Sequence, residues 1–295
     1  MSFLIKNKIL VTHNGTFHAD DIFATATLSI LLNGNIKVIR TRDEEWFKKG
    51  DYVYDVGGEY DPNRNRFDHH QKGGAGKRDN GVPYAAFGLV WKAYGEKICG
   101  SKEVADRIDE HLVQAIDIHD NGVDSYKVEG PVGPYLIESM FNTFRPSWKE
   151  PEEFDEPFME LVSVAKKLLL RKIKKAQDSI EGEFFVKKAY NEAIDKRIIV
   201  LDDQYPWRKM FLDYPEPIYV VVPKMDKWNV YAAQKESGSF ENRKSLPESW
   251  AGLRDEELAK VTGVSDATFC HNGRFLAVAK SKEGAIALAE KALLA

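Results

Sequence analysis

Along the first sixty residues, short β-favouring runs alternate with one dense apolar stretch. Residues 8–12 (KILVT), 36–40 (IKVIR) and 52–56 (YVYDV) read as strands. Between the first two lies DDIFATATLSILL, too densely apolar for an exposed strand and closed by Asn33-Gly34, which predicts a largely buried helix. Strand, helix, strand is a βαβ unit and favours a parallel sheet. Residues 82–98 and 102–116 are further helices. In the second, Ser101 caps and Val104, Ile108, Leu112 and Ala115 share a face. Five prolines between residues 130 and 157 predict a looped connector. Helical spacing then holds from Phe158 to Ile180, a rod of roughly 35–40 Å at ~1.5 Å per residue. Residues 197–201, 218–223 and 228–233 read as strands, and KEGAIALAEKALLA as a closing helix. The pattern predicts an α/β protein. Residues 1–145 form a mostly parallel sheet flanked by helices, and residues 146–295 a linker helix with a second, smaller α+β domain.

Composition narrows the class. A length of 295 residues favours two domains, and 43% hydrophobic with 30% charged residues is the balance of a soluble globular chain. The longest uncharged stretch, Ile22 to Ile36, is too short and too rich in Thr, Ser and Asn to span a bilayer. The start has no long apolar segment before a small-residue cleavage site, so a cytoplasmic protein is expected. Two cysteines, Cys99 and Cys270, cannot build a disulfide framework and read as buried thiols in a reducing compartment. A net charge of −4 argues against a surface that grips nucleic acid everywhere, and leaves room for a local basic groove.

Histidine placement carries the chemistry. Four of the seven fall in two groups with carboxylates: THNGTFHADD (His13, His18, Asp20, Asp21) and RFDHHQ (Asp68, His69, His70). Asp55 ends the run VYDV between them, and IDIHDNG adds Asp117, His119 and Asp120. The first group follows a strand and precedes a helix, and Asp55 ends another strand. In a parallel sheet those positions line the carboxyl edge, where ligands bind. Imidazoles and carboxylates converging there are costly to bury unpaired. A divalent ion offsets that cost, and mixed nitrogen and oxygen donors suit Mn²⁺, Zn²⁺, Fe²⁺ or Co²⁺ better than Ca²⁺. This many donors fits two ions, with Asp55 as the bridging carboxylate, and water so held becomes hydroxide near neutral pH.

THNGTFHADD, YDVGGEYDPNRNRFDHHQ and AIDIHDNGVD, in this order, resemble the melanocyte-proliferating-gene family. That family is itself similar to the DHH phosphoesterases. RKSLPESWAGLRDEEL and FCHNGRFLAVAKSKEGAIALAEKAL extend the likeness through the carboxyl half. The resemblance implies metal ligands at His13, His18, Asp20, Asp55, His69 and Asp120, and a phosphate contact at His70. It implies a substrate-binding second domain, to which Arg243, Lys244, His271 and Arg274 would contribute. In DHH enzymes the first motif is H-x-x-x-D-x-D. Here a histidine replaces one aspartate and the spacing is one residue longer, and the glycine-rich GGGH motif is missing.

The function so implied is a metal-dependent phosphoesterase, a 3′–5′ exonuclease that hydrolyses RNA or short oligonucleotides with a metal-bound hydroxide. Mn²⁺ is the favoured ion, with Mg²⁺, Co²⁺, Zn²⁺ and Fe²⁺ compatible, and a homodimer is an open expectation. The alternatives are a hydrolase of small phosphodiesters or pyrophosphate, and a metal-dependent binding protein without turnover. Several residues have plainer readings: Asp21 caps a helix, Asp68 orients a histidine or backbone, Asp117 supports the site from behind, and His119 is a surface residue. Trp207 and Trp250 pack in cores, and KKLLLRKIKK (166–175) complements a helix dipole.

Overall fold

The computed structural model describes residues 6–123, 126–128, 130–236, 239 and 241–295. Residue 124, the last of the AIDIHDNGVD motif, lies outside them. The fold is α/β, with two five-stranded mixed sheets flanked by helices.

In the first half, β1 (Lys8–Thr12) leads into α1 (Ala19–Leu31) and β2 (Ile36–Arg40). Then come α2 (Glu44–Lys49), β3 (Tyr52–Tyr54), β4 (Tyr60–Asp61) and β5 (Arg66–Phe67). The sheet order is β2-β1-β3-β5-β4, and every pairing except β4–β5 is parallel. The expected βαβ unit is therefore present, because α1 is apolar nearly all round and buries Ala19 through Ser29. It stops where Asn33 and Gly34 take positive φ.

Helix α3 (Ala86–Cys99) packs on α1 with Phe87 against Phe23, ring centroids 5.2 Å apart. The helix expected over 102–116 is broken into α4 (Lys102–Ile108), a π segment (Asp109–Val113) and α5 (Gln114–Asp120). The wider π turn rotates the following face relative to a regular α-helix, so a strict 3.6-residue reading of this stretch loses register. The proline-rich connector also holds a short helix, α6 (Ile137–Asn142), anchored by Phe141 stacked on Phe23 at 5.9 Å.

Helix α7 (Asp155–Glu192) has 38 residues, so it is ~57 Å long and outruns the expected rod. Its first half buries Phe158, Leu161, Ala165 and Leu169. Past Ile180 it continues with Val186 buried and Gly182 against Pro206, where a Cβ would meet Pro206 Cδ at 2.5 Å. The chain separates into compact units of residues 1–177 and 178–295, and this division falls inside α7.

The second unit contains β6 (Ile198–Val200), α8 (Trp207–Met210), β7 (Tyr219–Lys224) and β8 (Lys227–Ala232). It closes with α9 (Asp255–Thr262), β9 (Ala267–Cys270), β10 (Leu276–Ala279) and α10 (Lys282–Leu294). Its sheet, β6-β7-β8-β10-β9, is parallel only at β6–β7. Trp207 and Trp250 are both 4% exposed in its cores, which leaves neither free to stack on a base. Cys99 and Cys270 are free and buried. Among the described residues no helix is long and apolar enough to cross a membrane.

Candidate metal centre

Three neighbouring parallel strands deliver the motif residues to one edge of the first sheet. His13 leaves β1, Asp55 leaves β3, and Asp68, His69 and His70 leave β5. Asp55 sits at φ 55°, in the left-handed region that a non-glycine residue rarely takes. That turn, continued by Gly57 and Gly58 at positive φ, sets its carboxylate between two histidines. His13 Nε2 is 3.1 Å from Asp55 Oδ2, and His69 Nε2 is 3.4 Å from Asp55 Oδ1. His69 Nε2 also lies 3.2 Å from Asp120 Oδ2, at the end of α5.

The two aspartates that open α1 diverge. Asp21 Oδ1 accepts the His18 N–H at 2.8 Å and so caps the helix. Its Oδ2, buried and without a hydrogen bond, lies 3.2 Å from His13 Nε2. Capping is thus only half of its role, and the sequence reading missed the other half. Asp20 is fully buried and accepts the Ala86 and Phe87 N–H groups at 3.0 and 2.7 Å, closing the N-terminus of α3. Asp68 Oδ1 accepts the His69 N–H at 2.8 Å and holds His70 Nδ1 at 2.7 Å, while Oδ2 takes the Gly58 N–H. It orients the two histidines, as its place in the motif suggested. Asp117 stands behind the site, buried, 2.8 Å from Arg78 and accepting the Gly88 N–H at 3.0 Å.

Electrostatics are those of crowded carboxylates. Burial raises the Asp20 pKa well above the usual range, and the charges of Asp120 and Asp55 add to it. For His13 and His69 burial opposes protonation, but adjacent carboxylates outweigh it. Asp21 and Asp55 push His13 up to about 10, and Asp120 and Asp55 push His69 up to about 11. Burial likewise opposes ionisation of Asp55, and the two histidines overcome it and hold its pKa below the ordinary value. The site calls for positive charge.

The donor set fits a divalent ion. Asp55 Oδ1, Asp21 Oδ2 and His69 Nε2 are all buried without hydrogen bonds. An ion about 2.0–2.2 Å from each ligand would separate neighbouring donors by roughly 2.8–3.6 Å, and the edges here run from 3.1 to 3.4 Å. The donors sort into three overlapping groups: Asp55, Asp68, His69 and His70; His13, His18 and Asp55; and Asp20, His69 and Asp120. All six residues expected as ligands are among them, and Asp55 and His69 each join two groups.

One match spans nearly the whole chain. The MYG1_exonuc family, described as "Uncharacterised protein family (UPF0160)", matches residues 9–293. The chain belongs to this family. Among its relatives, a Caenorhabditis elegans protein named MYG1 protein C27H6.8 is 31% identical, over 97% of this chain and 95% of its own length. The human MYG1 exonuclease is 29% identical over 96% and 85%. The Schizosaccharomyces pombe MYG1 protein C694.04c is 27% identical over 99% and 98%.

In this MYG1-family chain the site opens into a cavity of about 690 Å³, whose wall includes His18, His70 and Gly58. His119 is exposed and lines the same cavity. Sequence reasoning missed three further wall residues, Arg42, Glu138 and Arg145. Nothing local marks them, since their relation to the histidines is made by the fold.

The carboxyl-half residues lie in the second unit. Arg243 gives its guanidinium to the carbonyls of Phe211, Tyr214, Pro217 and Gln234, tying the β7 approach together. Lys244 Nζ donates to the Leu293 carbonyl at 2.8 Å, at the end of α10. Both are committed to main-chain acceptors. His271 and Arg274 form the turn between β9 and β10, with His271 Nδ1 accepting the Gly273 N–H at 2.9 Å and Arg274 at φ 56°. This unit has a larger cavity, about 910 Å³, with Ile194, Ile198, Val200 and Ile286 on its wall. None of the metal-donor groups lies there.

Proposed function

We propose that this MYG1-family protein is a metal-dependent phosphodiesterase that removes nucleotides from the 3′ end of RNA or short oligonucleotides. One observation carries the reading: buried, unsatisfied donors of Asp55 and His69 converge with His13 and Asp120 at the carboxyl edge of the parallel sheet. The names of several relatives, which read MYG1 exonuclease, support the substrate class.

His13, His18, Asp20, Asp55, His69 and Asp120 would hold two divalent ions, Mn²⁺ foremost. When bound, such ions supply Lewis acidity and an activated water for hydrolysis at phosphorus. His70 binds the scissile phosphate. Its side chain is 62% exposed and lines the cavity, while Asp68 fixes the ring through Nδ1 and raises its pKa, favouring the cation. That leaves Nε2 as the donor to substrate. Asp68 in turn keeps the β5 exit rigid by accepting the His69, His70 and Gly58 N–H groups. The turn residues His271 and Arg274 are the second unit's remaining contacts for the substrate chain. The two buried thiols suit a cytoplasmic setting.

The test is hydrolysis of a short 5′-labelled RNA with Mn²⁺, Mg²⁺ or Co²⁺ and with chelator. Stepwise shortening that requires metal is expected. Intact RNA in every metal, with cleavage of pyrophosphate or a small phosphodiester instead, would replace the exonuclease reading.

A further inference from the structure

Two arginines line the metal-centre cavity, and their surroundings give them different work. Arg145 is engaged. Its Nη2 donates to the Phe17 carbonyl and to Glu138 Oε1, the latter at 2.9 Å. Glu138 Oε2 accepts the Ala19 N–H at 2.7 Å. Residues 17 and 19 flank His18, so this pair grips the ligand loop on both sides of that histidine, and Glu138 already balances the arginine's charge.

Arg42 is different. It follows β2, where Thr12 pairs with Arg40 and the Thr41 N–H reaches the Thr12 carbonyl at 2.7 Å. The chain therefore leaves the sheet level with the His13 loop, as the fourth parallel strand to send a residue to this edge. Beyond it, Asp43 caps α2 by accepting the Glu45 N–H, and its own N–H reaches Thr41 Oγ1 at 3.1 Å. The backbone is pinned on both sides. The guanidinium is exposed, and among the described residues it has no ion pair or hydrogen bond. The same wall carries His13, His18, His70 and His119 beside the carboxylates of Asp55, Asp68, Asp120 and Glu138. An unpaired planar cation on a pinned backbone at that wall is suited to take an anion with two parallel hydrogen bonds.

We infer that Arg42 binds the phosphate next to the scissile one, while Arg145 with Glu138 positions the histidine loop. This rests on the phosphodiesterase reading above. Because the metals and His70 serve the scissile group, Arg42 matters only for substrates with a second phosphate.

Calorimetric binding of non-hydrolysable phosphorothioate oligonucleotides, with Mn²⁺ present, tests it. A dinucleotide carries one internucleotide phosphate and a trinucleotide two. Arg42→Ala is expected to weaken trinucleotide binding about tenfold or more, the loss of a charged hydrogen-bonding partner. Dinucleotide binding should stay within about threefold, and Arg42→Lys should recover part of the loss. Mn²⁺ affinity should be unchanged in Arg42→Ala and lowered about tenfold in Arg145→Ala. Glu138→Gln, which keeps the volume, should lower it too, and melting curves confirm folding. Trinucleotide affinity in Arg42→Ala equal to wild type overturns the assignment of Arg42. Unchanged Mn²⁺ affinity in both Arg145→Ala and Glu138→Gln overturns the positioning role. If wild-type protein binds Mn²⁺ but neither oligonucleotide, the phosphodiesterase reading fails first.

Discussion

Asp55 concentrates the site on one carboxylate, because its two oxygens face two histidines from different strands. Asparagine tolerates the left-handed backbone at φ 55° and matches the volume, so Asp55→Asn isolates the charge. It is expected to weaken Mn²⁺ binding by at least about tenfold in calorimetry and to abolish detectable turnover. Wild-type affinity in that variant would remove Asp55 from the ligand set. His70 stands at the other side of the division of labour. Replacing it with alanine should cut kcat by about 10²-fold while Mn²⁺ affinity survives, and equal loss of both would make His70 a ligand. The cysteines allow a separate check of burial. Burial alone pushes Cys99 up to about 12, and burial, opposed by the Arg274 charge, pushes Cys270 up to about 11, so the neutral thiol is favoured and the thiolate fraction at pH 8 is minute. A thiol reagent at pH 8 should label neither in native protein and both in urea. Rapid native labelling would contradict the packed environment of either one.

Among the elements, α3 shows how the core and the site share parts. Its N-terminus is closed by Asp20 from the site loop, and Gly88 in its first turn lets the Asp117 carboxylate approach the backbone. A Cβ on Gly88 would stand 1.8 Å from Asp117 Oδ2 and 2.7 Å from its Cγ. Gly88→Ala must push a buried carboxylate away from the Gly88 N–H and strain its pairing with Arg78. A loss of about 1–3 kcal/mol in urea unfolding is expected, against the gain that alanine normally brings to a helix. An unchanged or raised midpoint would show that this approach is looser than described. The proline-rich segment belongs to the same economy of parts. Helix α6 is short, but Phe141 on Phe23 fixes it and lets Glu138 hold the end of α1.

At the scale of the molecule, legibility followed sequence distance. Strands β1 and β2 and helix α1 could be read because hydrophobic spacing is local, and α10 for the same reason. Strands β4 and β5 have two residues each, too few to show a period. The candidate ligands were visible because histidines and aspartates cluster in short motifs. Arg145 was not, since its bond to the Phe17 carbonyl crosses 128 residues. Arg243 shows the converse: a motif position suggested a phosphate contact, while the fold gives its donors to four carbonyls. The extent of α7 was underestimated because past Ile180 its inward face includes Gly182, which apolar spacing does not register.

A ligand that binds only the folded chain also stabilises it. With Mn²⁺ at 100 times its dissociation constant the gain is about 2.7 kcal/mol. Melting should therefore rise by several degrees with Mn²⁺ over chelator, and by less in Asp55→Asn. A melting temperature indifferent to chelator would argue that the carboxylates are neutralised without metal.

Divalent ions are expected among these residues. Anomalous diffraction from crystals grown with Mn²⁺ tests this most directly. Manganese peaks are predicted about 2.0–2.3 Å from His13 Nε2 and from His69 Nε2, with Asp55 between them. Manganese-bearing crystals with no anomalous density at Asp55, or with peaks only elsewhere on the chain, would contradict the account.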